Sequence, residues 1–332
     1  MKPRLLAALA APLALLLTGA APAGGSFTTN GAVIRDANGE RFVMRGVNMS
    51  HAWAHQRSVR DLPAIAATGA NTIRIPLGAG CKFRETPIAE VRWLITQAKA
   101  HRMVPMVEVH DATGLGEDEK ACPMDVVVAY WAKIKPALDG EERFAIVNIA
   151  NEPRGNNDTA KWVAEQAGAV AALRKMGYRH LLVVDGPNWG QDREHLMLTH
   201  AREVLAADPL HKLAFSVHMY GDWDSEAKVD QYFDAWADAK LPVLVGEFGD
   251  MFRGTKVPAA YIMRESAERA NGYLAWSWTP NGGPDANLDL VVDSDPKRVT
   301  PWGKLVFDTF RDAEPASMFG ASAKQATSSP RP

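Results

Sequence analysis

Eight short apolar, β-branched runs recur along this chain, ending at Asn48, Ile75, His110, Ile149, Asp185, Met219, Glu247 and Ser277. Successive ends lie roughly 26 to 39 residues apart. Residues 88–101, 125–138, 159–175 and 258–270, among others, fill the gaps with helix-like patterns. This alternation constrains the fold strongly. Runs without polar alternation read as strands buried on both faces, and parallel strands need long crossovers, usually helical. Eight such units over about 250 residues is the count of an α/β fold of the (β/α)8 TIM barrel type. A doubly wound open sheet is the rival, but it calls for a glycine-rich phosphate turn after the first strand, and RGVNMSHAW is not one.

The ends of the chain read differently. Residues 1–4 are basic, residues 5–17 apolar, and Ala21-Pro22-Ala23 fits a small-x-small cleavage site. Residues 1–23 are therefore expected to be a cleaved signal peptide, giving a secreted or periplasmic protein; a retained anchor is the alternative. Residues 24–312 are expected to form one catalytic domain. It opens with FTTNGAVIRDANGER, where Asp-Ala-Asn-Gly is a turn signal between two short strands, an N-terminal β-hairpin closing the barrel floor. Residues 313–332 are small, polar and proline-containing, and are expected to be disordered.

Removal of the signal leaves 35 basic against 39 acidic residues. A net charge near −4 gives no reason to expect nucleic acid or an anionic membrane as partner. Cys81 and Cys122 are the only cysteines. They form no CxxC or Cys/His cluster, so no zinc site is expected. In an oxidising compartment they could pair across the loops after the second and third strands; two free thiols are the alternative.

Barrel enzymes carry their catalytic residues at the C-terminal ends of strands. The residues at these tips are Arg74, His110, Asn151, Glu152, His218, Tyr220, Glu247, Trp276 and Trp278. Two carboxylates on opposed strands suit glycosidic cleavage, one protonating the leaving oxygen and the other attacking the anomeric carbon or activating water. Alone, Glu152 or Glu247 reads as an ion-pair partner or helix cap; their joint placement favours chemistry. Arg74 could hold Glu247 ionised, and Tyr220 could also reach it. Asn151 could bond a sugar hydroxyl. Trp276 offers a flat face with its N–H free for a hydroxyl. Trp53, Trp189 and Trp223 follow strand ends and could line a cleft. Glu108 reads as a deeper residue paired with an arginine such as Arg45. No HExxH or GxSxG pattern occurs, so neither a metal nor a serine nucleophile is called for.

Taken in order on successive strands, Arg74, His110, Asn151-Glu152, His218, Tyr220, Glu247 and Trp276 resemble glycoside hydrolase family 5, which contains many cellulases and mannanases. The resemblance spans residues 42 to 290. Finer segments, FVMRGVN with HAW following, PAIAATGANTIRI, VEVHDATG, NIANE, VLAADP, HMY, GEFG and LAWSW, are similar to the bacterial endo-β-1,4-mannanases of that family. The resemblance implies a retaining mechanism with Glu152 as acid/base and Glu247 as nucleophile. It implies substrate contacts from Arg74, His110, Asn151, His218, Tyr220 and Trp276, with His51 and Trp53 along the glycone side. It implies β-mannan or glucomannan as the polysaccharide substrate, with β-glucan as the alternative; no cofactor is expected, and the protein is expected to be a monomer.

Two segments depart from the pattern. Pro153-Arg154-Gly155 replaces a tryptophan-tyrosine-glycine step after the acid, so Arg154 takes the place of an aromatic contact. TPNGGPDANLDLV differs from the usual loop after the last strand. Asn-Glu-Pro is the cellulase form, which keeps an endo-β-1,4-glucanase as the alternative. An inactive carbohydrate-binding barrel is the alternative of another class.

Overall fold

The computed structural model describes residues 25–320; the expected signal peptide and residues 321–332 lie outside them. In chain order the strands are β1 (Thr28–Asn30), β2 (Val33–Arg35), β3 (Met44–Asn48), β4 (Thr72–Leu77), β5 (Val104–Val109), β6 (Ile146–Asn148), β7 (Leu182–Asp185), β8 (Leu213–Met219), β9 (Val243–Phe248), β10 (Met251–Phe252), β11 (Thr255–Lys256) and β12 (Gly272–Ala275). Strands β3 to β9 and β12 form a closed parallel barrel, with β12 pairing β3 to shut it. This is the (β/α)8 barrel that the alternation predicts. Every barrel strand ends within two residues of its expected end.

Each strand divides its residues between two environments, because successive side chains point to opposite faces. Val47, Ile73, Ile75, Val107, Val147, Val184, Val217 and Val245 face outward into the shell of helices. Met44, Val104, Met106, Ile146, Val183, Ala214, Leu244 and Leu274 face inward and fill the lower barrel. Further along the same strands the inward residues turn polar: Asn48, Arg74, Glu108, Asn148, Asp185 and His218, all buried. The apolar plug therefore supports a polar layer at the mouth, and that layer holds the site.

The floor differs from expectation in two ways. β1 and β2 pair around Gly31-Ala32, not around Asp36–Gly39. Gly31, with φ +57, takes the left-handed position of that two-residue turn. The Asp36 to Gly39 turn instead leads β2 to an antiparallel bridge between Arg35 and Arg41. Residues 313–320, expected to be disordered, pack beneath the barrel. Ala316 is buried against the floor cluster. The Ser317 N–H donates to Asp36 Oδ2 at 2.6 Å, and the Phe319 ring lies 5.6 Å from that of Phe144. Their small-residue composition hides three contacts that only tertiary structure supplies.

Candidate active site

The fourth barrel strand, β6, ends at Asn148, and the chain turns sharply to present Glu152. Glu152 has a left-handed backbone, φ +38, which costs a non-glycine residue free energy and must be held by its surroundings. Its N–H points to Asp185 Oδ2 at 3.3 Å, and its carbonyl accepts the Gly114 N–H at 2.9 Å. Two helix tryptophans pin the neighbouring strand ends. The Trp131 indole N–H donates to the Ile149 carbonyl at 2.8 Å, and that of Trp162 to the Asp185 carbonyl at 2.8 Å.

Glu247 reaches the site by a β-bulge. Val217 pairs with Val245, but His218 pairs with Glu247, so Gly246 is an extra residue on β9. Leu244 faces in and Val245 faces out. Strict alternation would send Glu247 outward; the bulge re-aims it into the barrel. A Cβ at Gly246 would lie 2.1 Å from Ser216 Oγ, so a larger residue at the bulge would force that hydroxyl to move.

A network of buried charge surrounds these carboxylates. Arg74 donates from Nη1 to Glu247 Oε1 at 2.7 Å and from Nη2 to Asn151 Oδ1 at 2.6 Å and Asp185 Oδ2 at 3.0 Å. Its Nε donates to Asn148 Oδ1 at 2.8 Å. Tyr220 donates to Glu247 Oε2 at 2.9 Å. His218 Nδ1 lies 2.9 Å from Glu152 Oε1 and 3.5 Å from Glu247 Oε2, and Nε2 lies 3.2 Å from Asp185 Oδ2. Burial alone would lower the His218 pKa, but Glu247 and Asp185 outweigh it and hold the imidazole protonated up to about 10. Burial likewise opposes the ionisation of Asp185, yet His218 and Arg74 hold its pKa at about 2. For Glu152 burial dominates and raises the pKa; the His218 hydrogen bond lowers it, and the Glu247 charge raises it again.

Glu152, His218 and Glu247 offer atoms that all lie within 4.8 Å of one another, the spacing a metal could bridge. The surrounding carboxylates favour the protonated form of His218, in which the imidazole has no lone pair to give a metal.

Most other tip residues gather here too. His110 and Asn151 line a cleft of about 700 Å³ with Glu152, Tyr220, Glu247 and Trp276. Trp53 stands beside them, its ring 5.8 Å from that of Trp276. Asn151 Nδ2 donates to Thr113 Oγ1 at 2.8 Å. Several expectations are corrected. The Trp276 N–H is not free, because it donates to Asn281 Oδ1 at 2.8 Å, an acceptor supplied by the departing TPNGG segment. His51 is buried, with Nδ1 2.8 Å from Ser58 Oγ and Nε2 3.4 Å from Glu90, and shows no face to a sugar. Trp223 is also buried, packed on Tyr232. Glu108 pairs with Arg74 at 3.5 Å and His110 Nδ1 at 2.8 Å, whereas Arg45 lies on the floor near Asp312. Arg154 is buried against Glu165 and faces no sugar. Cys81 and Cys122 are bridged, with Cα atoms 5.7 Å apart.

Sequence reasoning missed Asp185, although it ends a strand run and the tip rule alone could have selected it. It also missed the β10–β11 hairpin, whose Phe252 ring lies 4.8 Å from Tyr220 and walls the cleft. Arg253-Gly254 was the available turn signal.

A barrel with two close carboxylates in a cleft at its C-terminal mouth, one raised toward its acid form and the other held by an arginine, defines a glycoside hydrolase. The family description "Cellulase (glycosyl hydrolase family 5)" matches residues 35–282. The chain is 42% identical over 287 residues to a mannan endo-1,4-beta-mannosidase of Streptomyces lividans, covering 86% of this chain and 74% of that one. It is 38% identical over 318 residues to a mannan endo-1,4-beta-mannosidase of Cellvibrio japonicus, covering 94% and 74%. Among solved structures it resembles a beta-mannanase from Streptomyces thermolilacinus in complex with mannohexaose, with TM-score 0.86, 39% identity, and 90% and 100% of the two chains covered. This chain belongs to glycosyl hydrolase family 5.

Proposed function

We propose that this protein is an endo-β-1,4-mannanase that cleaves mannan and glucomannan internally by double displacement. The carboxylate spacing carries the mechanism. One carboxylate oxygen of Glu152 and one of Glu247 lie within 4.8 Å of each other. Carboxyls about 5 Å apart leave no room for an intervening water, so one attacks carbon directly and configuration is retained. Glu247, held by Arg74 and Tyr220, attacks the anomeric carbon. Glu152, kept in its acid form by burial, protonates the leaving oxygen and then activates the water that releases the sugar. Electrons flow from Glu247 into the new glycosyl bond and out onto the leaving oxygen, which takes the Glu152 proton.

The substrate reading rests on the relatives, whose names specify mannan. The second reading, β-1,4-glucan, is favoured by Asn151-Glu152-Pro153. Among the described residues no helix is long and apolar enough to cross a membrane. Export is supported by the N-terminal pattern, and a monomer suffices because one barrel holds every group named above.

Reducing-sugar release from mannan, glucomannan and carboxymethyl cellulose, with Glu247→Ala as the blank, tests the reading. Cleavage of both mannan substrates with little from cellulose is expected. Cleavage of cellulose alone would move the assignment to the glucanase.

A further inference from the structure

The segment after the last barrel strand, TPNGGPDANLDLV, is one of the two that depart from the mannanase pattern. The mechanism above does not use it, yet two indoles at the barrel mouth lean on it. Trp53 Nε1 donates to the Pro280 carbonyl at 2.8 Å, and Trp276 Nε1 donates to Asn281 Oδ1 at 2.8 Å. Acceptors on successive residues therefore take both N–H groups. The two rings lie 5.8 Å apart, and 5.2 Å and 5.6 Å from that of His110.

Asp289 holds these acceptors in turn. Its Oδ1 accepts the Asn281 backbone N–H at 2.7 Å and the side-chain amide at 2.8 Å, and its Oδ2 accepts the Thr279 hydroxyl at 2.9 Å. One carboxylate thus grips the residues on both sides of Pro280. Ser277 Oγ adds a longer bond to the Asn281 amide, at 3.0 Å. Asp289 is itself fixed. Its neighbours Leu288 and Leu290 bond to the backbone of Ser277 at 3.1 and 3.0 Å, and its own carbonyl accepts the Thr300 hydroxyl at 2.8 Å.

We propose that Asp289 is a positioning residue for the glycone-side floor of the cleft: through Thr279, Pro280 and Asn281 it sets the planes of Trp53 and Trp276. This rests on the mannanase reading and its roles for Glu247 and Glu152. The Trp276 backbone N–H donates to the Phe248 carbonyl at 3.0 Å, one residue past Glu247, so its ring lies beside the sugar that Glu247 attacks. Trp53 follows the first barrel strand, across the mouth from Glu152 on the fourth, and so lies toward the next glycone sugar. An indole whose N–H is bonded cannot turn about χ2 without breaking that bond. Sugars therefore meet two rings already in place, and less ordering entropy is lost on binding. Neither indole keeps a donor for a hydroxyl, so both offer their apolar faces alone.

The test uses 2,4-dinitrophenyl β-mannoside and β-mannobioside, which share a leaving group and differ by one glycone sugar. In Asp289→Ala the kcat/KM advantage of the mannobioside should fall about tenfold (~1.4 kcal/mol), mainly through KM. Where the mannoside reacts too slowly to measure, the rise in KM for the mannobioside gives the same answer. Asp289→Asn, which keeps an acceptor for Asn281, should stay within about threefold of the wild type, under ~0.7 kcal/mol. Asn281→Ala, which strips the acceptor from Trp276 alone, should fall between the two, and it decides the matter if Asp289→Ala does not fold. Trp53→Ala should lose the same advantage, and adding Asp289→Ala to it should lose little more, because the carboxylate acts through the ring. Equal losses on both substrates, an advantage that survives the alanine variants, or additive losses in the double variant would overturn the proposal and leave Asp289 a residue of stability alone. If the wild type turned over the aryl cellobioside but neither mannoside, the mannanase reading would fail separately. The same ratio on aryl glucoside and cellobioside would then decide the role of Asp289.

Discussion

Arg74 Nη1 stands 2.7 Å from Glu247 Oε1, with the guanidinium sealed from solvent and the carboxylate nearly so. The same guanidinium lies 3.0 Å from Asp185 and 3.5 Å from Glu108. Three buried carboxylates thus face one arginine, and that crowding raises the Arg74 pKa further despite its burial. The protonated His218 is the second cation that makes the cluster tolerable.

Arg74→Met should therefore cost both activity and stability. Removing the cation strands three carboxylates in a low-dielectric interior, and breaking one buried pair alone costs about 3–5 kcal/mol. Denaturant unfolding should show a loss of at least that size, and reducing-sugar release should fall by more than about a hundredfold (~2.7 kcal/mol). A variant with unchanged unfolding would show that the cluster repacks around neutral carboxyls.

Asp185→Asn removes one of the two anions that hold His218 protonated. The His218 pKa, about 10 in the native protein, should fall toward neutrality. Imidazole NMR across pH 5 to 10 reads it directly as an order-of-magnitude shift in the protonation equilibrium. A His218 that stays charged through that range would assign the effect to Glu247 alone.

The barrel was legible because each buried strand had to be apolar and each crossover had to hide a helix face. The tips were legible because polar residues at the ends of such runs have few bland explanations. Glu247 is the instructive case. Its presence at a tip was readable, but its inward aim depends on the bulge at Gly246, which a single sequence does not mark. The Trp276 N–H and the partner of Glu108 were misread for different reasons: the first depends on how the loop after β12 folds Asn281 back, five residues on, and the second on Arg74 from the neighbouring strand. The order of residues 313–320 was missed likewise, since Asp36 and Phe144 supply it from elsewhere in the chain.

Burial raises the Glu152 pKa, and the acid form is the one that protonates the leaving oxygen. Activity should hold while the group is protonated and fall as pH rises past its raised pKa. Glu152→Ala should remove this alkaline limb. The same variant should keep turnover of an aryl glycoside with a good leaving group, which needs no proton. Azide, a nucleophile needing no general base, should accelerate it and yield a β-glycosyl azide. An α-azide product, or an unchanged alkaline limb in the variant, would place the acid elsewhere.

The Cys81–Cys122 bridge spans 41 positions and ties the loop after β4 to the loop after β5. Loop-closure entropy for that span corresponds to about 4 kcal/mol of stability. The loop it anchors is also held from inside. Asp111 accepts backbone N–H groups from Ala79 at 2.5 Å, Lys82 at 3.0 Å and Phe83 at 2.9 Å. Those bonds keep Phe83 against His110, 5.7 Å between centroids, whether or not the bridge is closed. Cys81→Ser with Cys122→Ser should therefore lower the melting temperature by several degrees and leave kcat/KM at 25 °C within about twofold, an energy under ~0.5 kcal/mol. Asp111→Ala should do the reverse in emphasis, releasing the loop and weakening mannopentaose turnover even with the bridge intact. Thermal melts and oligosaccharide kinetics on both variants separate the two restraints, and a kinetic loss in the double serine variant would make the bridge part of the cleft.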